Sequence, residues 1–241
     1  DPFEINVSNE FHFFTPSDSV QDVTLFAKYT LRADEMFLNR MIGGTFEGSN
    51  DPDFREKEVL YLINEKPKRL QTVVQSYSSK SYRYVRYIGP KDSHCNIAEA
   101  AFYTPNDTAS LKGKVIGTPG CFQKDGSHEY TNVFDGDVTT SFDYIEPSGG
   151  WSGLDLGTPK QIGRIVYTPR SYDNYIRSGD DYELFYCARR NNWKSLGDQR
   201  SKADSLIYIK IPVNALLLLC NNTRGIQERI FVYTAAEQIW K

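Results

Sequence analysis

Long apolar runs are missing from this chain of 241 residues: the longest, Ala215 to Cys220, is six residues. A helix that spans a bilayer needs roughly 20. A surplus of one charge is missing too. Twenty-eight Lys and Arg stand against 31 Asp and Glu, a net −3, so there is no basic excess to hold nucleic acid non-specifically. Gly (17) and Pro (11) are too few for a collagen-like or low-complexity chain. Four cysteines, Cys95, Cys121, Cys187 and Cys220, show neither CxxC nor a Cys/His spacing suited to zinc. If oxidised they allow three connectivities, and buried free thiols are the plain alternative. No G-x-S-x-G, HExxH, P-loop or GxGxxG occurs, and His12, His94 and His128 lie in unrelated contexts. The chain therefore reads as non-enzymatic. It opens on Asp1-Pro2 without Met or signal peptide, the pattern expected of a mature or excised portion of a longer protein.

What is abundant is aromatic: 16 Tyr, 14 Phe and 3 Trp beside 2 Met. Pleated strands favour such side chains, so composition leans towards β structure. Short strand-like runs recur at 23–29, 59–63, 70–74, 82–88, 162–167, 182–186, 206–211, 215–219 and 229–233, separated by turn clusters such as Asp135-Gly136-Asp137. Only Ala33 to Met41 has helical character. The polar stretch Thr104 to Ser110, within Tyr103 to Gly113, predicts a boundary between a unit at 1–110 and one at 111–241. The halves echo each other as diverged copies would. Frequent strands without crossover helices predict an all-β protein of two antiparallel β-sandwich units in tandem.

Three stretches carry a family resemblance: Asn132 to Thr140 with its DGDVT turn, Gly150 to Gly157 (GWSGLDLG), and Ile162 to Arg170 (IGRIVYTPR). In order and spacing they resemble the discoidin, or coagulation-factor type C, domain of the galactose-binding-like superfamily, a jelly-roll sandwich. The likeness covers about 111–241. In the first half, Phe46 to Asp51, Tyr82 to Tyr87 (YRYVRY) and Asn96 to Tyr103 resemble the family's SND turn, RYVR strand and closing strand. The DGxxT and WxxxDLG portion is absent there, which implies that 1–110 is a degenerate copy. The combination is also similar to C-terminal regions of secreted bacterial proteins, some with a transglutaminase-like domain upstream. That similarity implies an extracellular, cell-surface or periplasmic location and a covalently linked upstream domain.

The resemblance implies glycan binding, and it places the ligand at loops gathered at one end of the sandwich. Those loops, 117–131, 170–181 and 221–228, carry the rings Phe122, Tyr172 and Tyr175 and the fork donors Arg170, Arg177 and Arg224, with Asn222, His128 and Glu129. Rings suit the C–H face of a pyranose, and planar polar groups suit paired hydroxyls. The bland alternative is that Arg170 and Arg177 pair with Asp180 or Asp181 while the tyrosines pack beneath their own loops. Trp151 and Trp193 fall at positions the family places in or near the core. Similarity to carbohydrate-binding members also implies a structural Ca²⁺ at Asp135, Asp137 and Thr140, with Glu228 as a distant ligand; hard oxygens on a Gly turn suit that ion. Alternatively, Asp135 and Thr140 only cap the turn. A docking module that spaces an upstream catalytic domain is the main rival function. Membrane-surface binding, which needs apolar spikes and basic neighbours, fits these Asp-, Asn- and Tyr-rich loops poorly. Asn6, Asn106 and Asn221 head glycosylation sequons.

Overall fold

Alternation of apolar and polar residues becomes strands throughout, and the chain is 44% strand and 6% helix. The computed structural model describes residues 14–30, 32–189, 192–225 and 229–241. The early elements are β1 (Val20–Leu25), α1 (Arg32–Asn39), β2 (Thr45–Ser49), β3 (Lys57–Leu62), β4 (Thr72–Gln75), β5 (Ser81–Ile88) and β6 (Glu99–Tyr103). Then come β7 (Lys114–Gly117), a 3-10 turn at Tyr130–Phe134, β8 (Trp151–Gln161), β9 (Arg164–Thr168) and β10 (Asp181–Arg189). The last are β11 (Asn192–Arg200), β12 (Leu206–Pro212), β13 (Leu217–Asn221), β14 (Ile230–Thr234) and β15 (Glu237–Trp240). All pairings between strands are antiparallel. The all-β sandwich expectation holds.

The chain forms two compact units, one continuous and one not. The mid-chain unit, Thr30–Tyr175, has a five-stranded sheet in the order β3-β2-β5-β8-β7 and a three-stranded sheet in the order β4-β9-β6. Phe46, Val85, Tyr87 and Leu154 of the large sheet bury against Phe102, Ile165 and Tyr167 of the small one. The Phe46 ring lies 5.4 Å from Tyr167 and meets Phe102 edge-on at 6.0 Å, which makes a ring-rich core between two sheets. The terminal unit joins the chain up to Tyr29 with Ile176–Lys241. Its five-stranded sheet runs β11-β10-β13-β14-β15, and β1 pairs with β12 as a second, two-stranded sheet. Leu184, Leu217, Leu219 and Phe231 pack with Val23, Leu25, Leu206 and Tyr208 in its core.

This division corrects the expected boundary at Tyr103 to Gly113. Strand β5 pairs with β8 and β6 with β9, so the polar stretch is a surface connection inside one sandwich. A Cβ on Gly163 would come within 2.6 Å of Pro105, a measure of how closely that connection is packed down. Nor do the units repeat the two sequence halves in tandem: one is inserted in the sequence of the other. All four cysteines are free thiols, and burial pushes that of Cys95 up to about 12. Among the described residues no helix is long and apolar enough to cross a membrane.

Candidate functional site

The expected loop residues are shared between the units, six in the mid-chain unit and three in the terminal one, and most are already engaged. Arg170 donates from Nη1 to Asp143 Oδ2 at 2.6 Å and lies over the Phe37 ring at 4.3 Å. Asn96 bonds the other oxygen of Asp143 at 2.8 Å, so this guanidinium closes a buried network rather than facing a ligand. Tyr175 is 2% exposed and cannot stack on a sugar. His128 holds Ser141 through Nδ1 (3.1 Å), and Glu129 Oε2 accepts the Gly120 N–H (2.9 Å); both tether the loop around them. Tyr172 is half exposed, with its ring 5.7 Å from Phe37. In the terminal unit Arg224 donates to Asp180 Oδ2 at 2.6 Å. The backbone N–H of Arg177 donates to the Tyr182 hydroxyl (2.9 Å), and that of Asn222 to the Asp181 carbonyl (2.8 Å). Asp180 thus pairs with Arg224, while Arg170 pairs with Asp143 rather than with Asp180 or Asp181. Of the sequon asparagines, Asn106 is exposed, Asn221 is buried against Asp180, and Asn6 lies outside the described residues.

The Asp135 turn is built as its sequence suggests. Asp135 accepts the Asp137 N–H (2.7 Å) and the Thr140 hydroxyl (2.8 Å), while Asp137 accepts the Thr139 hydroxyl (2.6 Å). Glu228 lies outside the described residues. A carboxylate that sequence reading passed over, Glu99 at the head of β6, reaches the turn instead. Its Oε1 accepts the Gly136 N–H at 2.9 Å. Burial first, then a hydrogen bond with the Asp135 carboxyl, raises Glu99 to about 8. Two carboxyls side by side favour holding a proton between them. Among the described residues no three His, Cys, Asp or Glu side chains converge as a metal cluster.

An open site lies elsewhere, on the outer face of the mid-chain unit's five-stranded sheet. There a groove of about 430 Å³ is lined by Pro52, Tyr84, Lys114, Tyr130, Trp151 and Asp155, among others. Strand pairing sets Tyr84 beside Asp155, and Asp155 beside Lys114. Gly117 makes room for the Tyr130 ring, which would lie 2.5 Å from a Cβ there. Trp151, which opens β8, is partly buried and lies near the core rather than inside it. It is braced from below. The Phe54 ring lies 5.7 Å away, and the Arg86 guanidinium lies 4.0 Å from Phe54 and 5.1 Å from the indole. Arg86 in turn donates twice to Glu47 Oε2 (2.8 and 2.7 Å), whose Oε1 pairs with Lys57 at 2.8 Å. A nearly buried ion pair beneath packed rings cannot relax without leaving a charge unpaired, so the indole is held still. At the groove's other end Arg83 grips Asp155 with Nε and Nη2 at 2.8 and 2.9 Å. Rings on a rigid sheet with polar groups along one side suit a ligand that has both a C–H face and hydroxyls.

No known family model, characterised protein or solved structure matches this chain.

Proposed function

We propose that the chain is a non-catalytic glycan-binding module of an extracellular, cell-surface or periplasmic protein. Its saccharide site is the sheet-face groove rather than the loop ends. The observation that carries this is Trp151, a partly exposed indole braced by Phe54 and Arg86 and set beside Tyr130, Lys114 and Asp155. Stacking supplies the affinity and the flanking polar groups supply orientation, with weak single-site binding raised by avidity in a longer parent protein. The discoidin resemblance gains support from the pairing of the RYVR strand, β5, directly with the WSGLDLG strand, β8. We read Thr30–Tyr175 as one such module in which the family's later motifs precede its earlier ones along the chain.

Calcium belongs to the same reading. Asp135 and Glu99 are hard oxygen donors that meet at one turn, which is where a cation would fit. Bound there, it would fix the turn and the head of β6 and take no part in any reaction.

A specific observation favours the docking module as second reading: Arg170 and Arg224 are consumed in internal ion pairs at the loop ends. A glycan array, run with and without EDTA and repeated on Trp151→Ala, separates the two. Selective binding that falls at least about tenfold in a folded Trp151→Ala variant is expected. A blank array from folded wild-type protein overturns the glycan reading.

A further inference from the structure

We infer that the groove selects anionic saccharides, those bearing a carboxylate or sulfate, and that Lys114 is the residue that selects them. The inference rests on the groove's being a saccharide site and adds the charge of its ligand. Two formal charges line the groove, the Lys114 ammonium and the Asp155 carboxylate. They begin from paired positions, since Lys114 faces Asp155 across β7 and β8. Asp155 is already spent: both its oxygens take the Arg83 fork, and Oδ1 also accepts the Gly157 N–H at 2.8 Å. The Arg83 fork offsets the charge of that carboxylate, so it repels an anion less than a free one would. Lys114 lies near enough to help hold the Asp155 carboxyl below its ordinary value, but among the described residues it makes no ion pair within 4 Å; with Arg83 offsetting Asp155, the groove keeps an excess of one positive charge beside Trp151 and Tyr130.

A uronate or a sulfated pyranose satisfies this layout. Its ring face covers the indole while its anionic substituent meets the ammonium. A neutral sugar keeps the stacking and forgoes the ion pair. Because Lys114 is exposed, the pair is screened and worth a preference of modest size.

The test is a set of titrations with matched pairs: pentagalacturonic acid against its methyl ester, and 3′-sulfolactose against lactose. The charged member is expected to bind about fivefold tighter at low salt, with the advantage shrinking as salt rises. Lys114→Gln should abolish the advantage of the charged member over its neutral partner, whatever it does to the affinity of both; Lys114→Arg should retain that advantage. Equal affinity within each pair, or a preference indifferent to Lys114→Gln, overturns the charge inference and leaves the glycan reading standing. Binding of neither member of either pair also overturns it, and a blank array in addition overturns the glycan reading itself.

Discussion

Glu99 reports directly on its surroundings, because burial and Asp135 push it the same way, up to about 8. A carboxyl raised above its ordinary value holds its proton more tightly folded than unfolded. Its stabilising contribution is full below about pH 4.5 and is lost as pH rises through about 8. Metal-free protein should therefore lose stability between pH 5 and 8, on the order of 1–2 kcal/mol after allowance for solvent screening, or a few degrees in Tm. Glu99→Gln should flatten that slope. Calcium should restore more stability at pH 8 than at pH 5, where the proton it displaces is held firmly. Calorimetry across this range checks both, and a wild-type profile no steeper than that of Glu99→Gln rejects the coupled pair. The Asp135 side of this pair was legible in the sequence, since a DGD turn announces itself over three residues. Glu99 was not, because its partner lies 36 positions further along and only the packing of β6 against the turn brings them together. Trp151 shows the same limit. Its strand was recognisable, but whether an indole at a strand's rim turns inward or outward depends on Phe54 and Arg86, which arrive from other elements.

At the scale of the element, β8 organises the mid-chain unit: it pairs with β5 on one side and β7 on the other. Close approach is possible at Gly153, where a Cβ would lie 2.2 Å from the Val85 carbonyl oxygen and 2.7 Å from Arg86 Cβ. The nearest atom is backbone, which cannot swing away. Gly153→Ala should cost at least about 2 kcal/mol and disturb the Arg86 brace. Gly149→Ala, at a position with φ +85 and open space around it, should cost only the backbone strain, about 1 kcal/mol. Thermal melts of the two variants check the order; a harmless Gly153→Ala would mean that the β5–β8 contact is looser than drawn. Strands with clear alternation, such as β5 and β12, were readable in advance. Others were hidden for physical reasons. β2 contains Gly48, which reads as a turn residue until the Tyr82 ring is seen lying 2.6 Å from where its Cβ would stand. β11 is a polar edge strand whose side chains are mostly exposed, so no apolar stripe marks it.

For the whole molecule, all-β character was plain from aromatic content and turn spacing, while the division of the chain was not. A polar, Pro-bearing stretch signals a loop, and nothing local distinguishes a loop inside a sandwich from a linker between two. Only pairing settles it, and here β5 reaches across Thr104 to Ser110 to join β8. That arrangement makes the two units unequal as folding objects. The mid-chain unit is continuous and contains both of its sheets and its whole core, so a fragment of residues 30–175 should fold alone. The terminal unit draws β1 from one end of the chain and β12 from the other, with Val23 and Leu25 packed among Leu206, Tyr208 and Leu217. Residues 176–241 alone would leave β12 without its partner and that core open on one side, and should remain unfolded or associate. Adding a peptide of residues 14–29 should recover strand signal by circular dichroism and cooperative melting, because it restores the missing sheet. If 176–241 instead melts cooperatively as a monomer without the peptide, β1 is dispensable to that core. The terminal unit would then be a self-sufficient appendix rather than one closed by both ends of the chain.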